Sequence, residues 1–279
     1  MPKKNYATPF EVLHAASLLS HRSRIAKFEE ALGAVVTPES YVIDLGTGSG
    51  VLAMLAGKAG ARRVTGVDVN PECIEYAEKA ARLNGLEDKI DFYEGHFSDF
   101  VPDELADVVV CEMLSSMLLI EQQVPASCHA VKHLLKAGGR MMPEQARVWV
   151  VPAECPALWE RFAVSGMTFP RVPQTVGPDE SKDLAAAREV ITFNLSTMRK
   201  TPSVDRALEF TISERGVLHG IVGFFQARLV NGVNLYMNDG WRELFLPFDT
   251  PREVQVSESI EVHLRYVPGQ FDSVVAKLE

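Results

Sequence analysis

The chain has 279 residues, 47% of them hydrophobic and 23% charged, a balance ordinary for a globular protein and a length that suits one large domain or, as expected here, two. Its 37 acidic and 28 basic residues give a net charge of -9, which argues against a broad nucleic-acid-binding face and is compatible with a cationic substrate. No apolar run reaches the roughly 18 residues of a membrane span. The opening MPKKNYATPF lacks the apolar stretch of a signal peptide, and Cys73, Cys111, Cys128 and Cys155 form no CxxC pair, so reduced thiols in a cytoplasmic protein are expected.

Residues 11–32 place Val12, Ala15, Ala16, Leu19, Ala26 and Leu32 at mostly helical spacing, which predicts an opening helical segment over residues 1–35. Strand and helix then alternate. YVIDLG, RRVTGVDVN, KIDFYEG and ADVVVCE read as strands; VLAMLAGKAG, PECIEYAEKAARLNG and PASCHAVKHLLKAGG read as helices, the last ending on paired glycines. Such units predict a parallel sheet with helices on both faces, over residues 36–146.

Beyond this point the texture changes. The stretch 154–190 is helix-compatible at both ends around the irregular FPRVPQTVGPDES, and reads as an inserted arm. From REVITFNLS onward, short β-branched and aromatic runs (ALEFTIS, GVLHGIVGFFQARLV, VNLYM, WRELFLPF, SIEVHLRYV) alternate with turn residues, predicting an antiparallel, β-barrel-like domain over 147–279. The expected class is therefore α/β, a doubly wound Rossmann-like domain followed by a β-barrel-like one.

VIDLGTGSGVLA joins a strand to a helix through Gly46, Gly48 and Gly50, so bare backbone can approach a ligand at a helix N-terminus. Asp68 ends the next strand, eighteen residues beyond Gly50, where a carboxylate can accept from two ribose hydroxyls. From Gly48 the sequence also satisfies G-x-G-x-x-A, so spacing alone leaves a nicotinamide dinucleotide open. Asp44, just before the first glycine, favours a cofactor with a cationic amino group, because it would repel a pyrophosphate. The combination D-x-G-x-G-x-G resembles the first motif of class I S-adenosylmethionine-dependent methyltransferases.

CEMLSSMLLIE, residues 111–121, carries Glu112 and Glu121 at the ends of a largely apolar run. Nine residues at about 100° each would set the two acids on opposite sides of one regular helix. Glu112 instead ends a strand, and a turn through MLSSM followed by a short helix bearing Glu121 would aim both into one pocket. Cys111 reads as a small buried residue, and His129 and His133, four apart without a third ligand, as ordinary helix residues; no metal is expected.

This stretch is similar to the double-glutamate loop of protein arginine methyltransferases, and the resemblance spans nearly the whole chain. It includes LSHRSRIAKFEEAL, HLLKAGGRMMP and NDGWRELFLPF. It implies S-adenosylmethionine held by Arg24 at its carboxylate, by Asp44, Gly46, Thr47, Gly48 and Gly50, by Asp68 and Val69 at the ribose, and by Phe97, Ser98 and Glu112. It implies Glu112, Glu121 and Trp241 as the catalytic set, the two acids gripping a guanidinium, and a dimerisation arm at 154–190 that makes a homodimer possible.

Three departures stand out: Met113, Leu114, Ser115 and Ser116 where the family has Trp-Met-Gly-Tyr, Asp239 and Gly240 where a threonine and histidine precede the tryptophan, and His21 where an aspartate is usual. The methyl acceptor is accordingly expected to be a guanidinium or other cationic nitrogen on a protein or small molecule. A small metabolite or a non-arginine protein group is the alternative, and a non-catalytic cofactor-binding regulator is the alternative of another class. Neither nucleic acid nor membrane is an expected partner.

Overall fold

The computed structural model describes residues 12–279. The first eleven residues, on which the signal-peptide reading and the start of the helical segment rest, lie outside the described residues. The expected opening helix is broken: α1 spans Val12–Ser17, a 3-10 turn follows at Leu18–Ser20, and α2 spans Arg22–Val35. The interruption falls at His21, whose φ of -80° and ψ of 71° are not helical. α2 buries Arg24, Phe28, Ala31 and Leu32, a single stripe at helical spacing.

The next strands and helices alternate as expected: β1 Tyr41–Leu45, α3 Val51–Lys58, β2 Arg63–Asp68, α4 Pro71–Leu83, β3 Ile90–Glu94, β4 Ala106–Cys111, α5 Gln123–His133 and β5 Leu135–Met142. The strands form one parallel sheet in the order β3-β2-β1-β4-β5. Central β1 is buried along its whole length. Its neighbours β2 and β4 are reached by connections running opposite ways across the sheet, so a crevice opens at the C-terminal ends of β1, β2 and β4. α5 stops at His133 rather than running into the paired glycines. Gly138 and Gly139 lie inside β5, where pairing with β4 at an irregular register prevails over the helical reading.

The remaining chain is antiparallel. β6 Gln145–Glu154 pairs with the long β13 Gly216–Val230, which pairs with β15 Leu244–Val254; β11 Arg188–Phe193 lines β6, and β14 Val233–Leu235 returns on β13. A second sheet joins β12 Val204–Thr211, β16 Ser259–Val267 and β17 Gln270–Leu278, the last not singled out in the sequence.

The segment 154–190 holds only one short helix, α6 Pro156–Glu160, with the small strands β7 Ala163–Val164, β8 Met167–Thr168, β9 Gln174–Thr175 and β10 Lys182–Asp183. Its C-terminal end is extended, not helical: β10 pairs with β6, Leu184 N donates to Pro152 O, and Ala185 bridges to Ile212. Tertiary pairing there overrides the helix propensity of the alanines. Buried apolar residues of the parallel sheet and the antiparallel region share one core, from Phe28 to Tyr266, and a second, smaller cluster gathers Val151, Leu158, Val222 and Phe245.

Candidate active site

The glycine loop folds back on β2, with Gly46 N and Thr47 N both donating to Val67 O at 2.8 and 3.0 Å. Gly46, Gly48 and Gly50 have φ of 73°, 52° and 78°, a region that glycine enters without cost. Asp44 staples the loop from behind: its Oδ2 accepts from Thr47 Oγ1 at 2.6 Å and from Ala53 N at 3.1 Å. Asp44 Oδ1 is buried without a hydrogen-bond partner, and burial pushes the carboxyl up to about 7. Asp68, at the end of β2, accepts from Gly48 N at 2.8 Å and from Asn70 N at 2.9 Å, and burial raises its pKa.

Facing this loop, Glu112 follows directly on the last residue of β4, and the next residues reverse the chain. Ser115 Oγ accepts from both Ile120 N and Glu121 N at 3.1 Å. Met117 and Leu118 sit at φ of 60° and 54° within a 3-10 turn spanning Ser116–Leu118. Glu121 is therefore carried by a bend just before α5, not by the expected short helix. A serine hydroxyl, rather than helical backbone, turns it back toward the cavity. The turn is braced from the antiparallel region: Tyr266 OH donates to Met117 O at 3.1 Å, Ser116 Oγ donates to Arg242 O, and Trp241 Nε1 donates to Leu114 O at 2.8 Å.

These parts enclose a cavity of about 700 Å³, within the ~300–1,000 Å³ range of small-molecule sites. Of the sequence candidates, Arg24, Gly46, Gly48, Asp68, Val69, Phe97, Glu112, Glu121 and Trp241 line it. Asp44, Thr47 and Gly50 shape the loop from behind without lining the cavity. Ser98 is exposed outside it and bonds His96 Nδ1 at 2.8 Å; His96 itself lines the wall. Leu18, Thr175 and Arg242 also line it and were not assigned a place there from sequence, and His21 and Met113, noted there as departures, line it too. Thr175 has no sequence signal, since only the pairing of β9 with Leu244 and Phe245 brings it there.

Charge in the cavity is unbalanced. Arg24 Nη1 lies 3.2 Å from Glu112 Oε2, and the Arg24 guanidinium sits 4.7 Å from the Trp241 ring centre. Burial nevertheless raises Glu112 to about 7, against the lowering pull of Arg24. Glu121 rises further, to about 8, through burial and the neighbouring Glu112. Two carboxylates thus share one cation, an arrangement that a second, planar cation would complete.

Cys111 is fully buried and its thiol is pushed well up, which removes it as a nucleophile. The His129 and His133 rings lie 4.8 Å apart, and among the described residues no group of three or more potential ligands is placed to hold a metal. No helix among the described residues is long and apolar enough to cross a membrane.

The donor set fits S-adenosylmethionine. Asp68 at the second strand end suits a ribose, Arg24 suits a carboxylate, and bare backbone at Gly46 and Gly48 leaves room for close approach.

Known proteins agree with this reading. The family profile described as Ribosomal protein L11 methyltransferase (PrmA) matches residues 29–142. The rice (Oryza sativa subsp. japonica) protein arginine N-methyltransferase PRMT10 is 33% identical over 53% of this chain and 40% of its own length. An arginine N(omega)-methyltransferase of Streptomyces achromogenes subsp. streptozoticus is 26% identical over 89% of this chain and 74% of its own. The chain spans about half or less of the first curated relatives it matches. Among solved structures, a Trypanosoma brucei PRMT1 enzyme-prozyme heterotetrameric complex with AdoHcy superposes with a TM-score of 0.76 at 23% identity, covering 89% of this chain and 86% of that one. In sequence and fold the chain is similar to class I S-adenosylmethionine-dependent methyltransferases, the protein arginine methyltransferases among them.

Proposed function

We propose that the protein transfers a methyl group from S-adenosylmethionine to a guanidinium nitrogen. The observation that carries this reading is the pair Glu112 and Glu121, two half-buried acids on the cavity that the glycine loop floors, with Arg24 paired to Glu112 and its charge felt by Glu121. Bound S-adenosylmethionine supplies a methyl electrophile on a sulfonium. Arg24 is placed to hold its carboxylate and Asp68 its ribose, while Asp44 keeps the loop in shape.

Glu112 and Glu121 form charge-assisted hydrogen bonds to the acceptor's planar fork, fixing one nitrogen in line with the methyl group and concentrating electron density on it. Trp241 keeps water from the Arg24–Glu112 pair. Methylation leaves the acceptor with one proton too many, and Glu121, titrating at about 8, can hold that proton until it reaches solvent.

The test is methyl-labelled cofactor offered in parallel to free arginine, simple guanidino compounds and arginine-containing peptides. Label in the guanidino group supports the proposal. A Glu121→Gln variant that retains full transfer would sink it. The relative from Streptomyces, which covers most of both chains and is named for arginine itself, favours a small guanidino acceptor as the second reading. That reading predicts label in the free compounds alone.

We further divide the chain into the segment 1–35, the cofactor domain 36–146 and the acceptor-side domain 147–279. The arm exposes Val164, Met167 and Phe169, which supports homodimerisation through it. The four free cysteines support a cytoplasmic location.

A further inference from the structure

His21 takes no part in the chemistry above, yet it is held on both sides. Its Nδ1 lies 3.1 Å from Arg24 Nη2. A guanidinium only donates, so Nδ1 is the acceptor and the ring is neutral, with its proton on Nε2. A Cβ on Gly240 would stand 2.5 Å from Nδ1 and 2.7 Å from Cγ, so the imidazole fills the space that any other residue at 240 would need. Arg24 bonds Glu112 through Nη1 and His21 through Nη2, which leaves its remaining N–H groups for a ligand.

We propose that His21 is a positioning residue: seated in the notch over Gly240, its neutral imidazole aims the Arg24 guanidinium at the cofactor, and His21 and Gly240 act as one interlocked pair. The inference rests on the reading of Arg24 as the ligand of the cofactor carboxylate. An arginine side chain loses rotamer freedom when it is aimed, so a fixed acceptor behind it selects the productive orientation before the ligand arrives.

The charged groups around the ring keep it neutral. Arg24 on its own helix and His14 on α1 both disfavour protonation, in addition to burial. Asp239, beside Gly240, is taken by Ser23 and Lys27, and Glu112 by Arg24, so among the described residues no carboxylate bonds the ring.

Calorimetric binding of S-adenosylhomocysteine tests the proposal without any acceptor. His21→Ala and Gly240→Ala are each expected to weaken binding by about 5–20-fold, the latter partly through backbone strain at Gly240's φ of 132°, and the double variant to lose less than the product of the two, because residues in contact couple. His21→Asn, which keeps an acceptor near the Nδ1 position, is expected to stay within about threefold of the parent protein.

As the pH falls through the ring's lowered pKa, below its ordinary 6.5, the parent's affinity is expected to fall because the ring protonates, loses its acceptor and repels Arg24; the same fall should be absent in His21→Asn. Additive losses in the double variant, a harmless Gly240→Ala, or identical pH curves for parent and His21→Asn would overturn the pairing, as would an Asn variant as weak as Ala with an unchanged melting midpoint. A parent protein that fails to bind S-adenosylhomocysteine would instead refute the cofactor reading itself. A protein that binds it but methylates nothing leaves this inference standing.

Discussion

Arg24 and Glu112, eighty-eight residues apart in sequence, meet in a 3.2 Å ion pair that ties the second helix to the end of the fourth strand. The pair is nearly sealed from water, with Arg24 only 4% exposed and Trp241 over its guanidinium. On the proposed assignment it stands where the cofactor and acceptor ends of the cavity meet, so a change on one side is expected to be felt on the other.

Arg24→Met removes the cation that draws down both Glu112 and Glu121. Both carboxyls are then expected to keep their protons to higher pH. The rising limb of kcat/KM against pH should move alkaline by about one unit, alongside a tenfold or greater loss of S-adenosylhomocysteine affinity. An unmoved pH profile would remove Arg24 from the electrostatics of the acceptor site.

Glu121→Gln is expected to abolish transfer and yet stabilise the unliganded protein in alkaline buffer. The folded carboxyl titrates at about 8, above its ordinary value of 4.5. Its contribution to stability is therefore fully present below pH 4.5 and is lost as pH rises through about 8. A glutamine carries no such dependence. The variant's melting midpoint should exceed the parent's at pH 8.5 by a few degrees, at ~2–4 °C per kcal/mol, and the gain should vanish near pH 5. Equal midpoints at both pH values would contradict the burial of this charge.

Gly223 on β13 is the seat of the turn between the two acids: a Cβ there would come within 2.1 Å of Met117 Sδ and 2.5 Å of its Cγ. Gly223→Ala should expel the methionine and deform the turn, costing about 1–3 kcal/mol in a denaturant titration through overpacking. Methyl transfer should fall at least tenfold while cofactor affinity holds, because the glycine loop lies elsewhere. Loss of both functions in proportion would mean that the damage is global.

Asp239 fastens the antiparallel region to α2, accepting from Ser23 Oγ, from Lys27 Nζ at 2.6 Å and from Tyr236 N at 2.8 Å. Burial alone would raise its pKa, but the bonds from Lys27 and Ser23 outweigh it and hold the carboxyl below its ordinary range. Its contribution is present above pH 3.8 and lost as the pH falls through the lowered value. Asp239→Ala should cost about 1–3 kcal/mol at neutral pH, with the difference from the parent shrinking in acid. Chemical denaturation at pH 7 and pH 3 measures both.

The strand-and-helix alternation, the glycine loop, Asp68 and the two glutamates were legible because each is written locally, as a period, a turn residue or a strand end. What escaped depends on partners far away in sequence. The sequence pattern suggests a helix for Glu121, but the hydroxyl of Ser115 bends the chain there. The alanines before Val190 favour a helix in isolation and lie extended because β6 offers a ladder. Gly240 resembles a missing side chain until His21 is found in the space it leaves.

Only Pro143 and Glu144 separate β5, the last parallel strand, from β6, the first strand of the antiparallel region. The match to the methyltransferase profile stops at residue 142, as though the sheet were a detachable inheritance. Yet Met117, Leu118 and Phe28 belong to the same core as Phe225 and Tyr266. A cut at that junction would strip the turn between Glu112 and Glu121 of its braces and bare the apolar surface against which Trp241 packs. The chain is expected to melt in one cooperative transition, and the two halves to have been shaped as a single machine rather than joined by a tether.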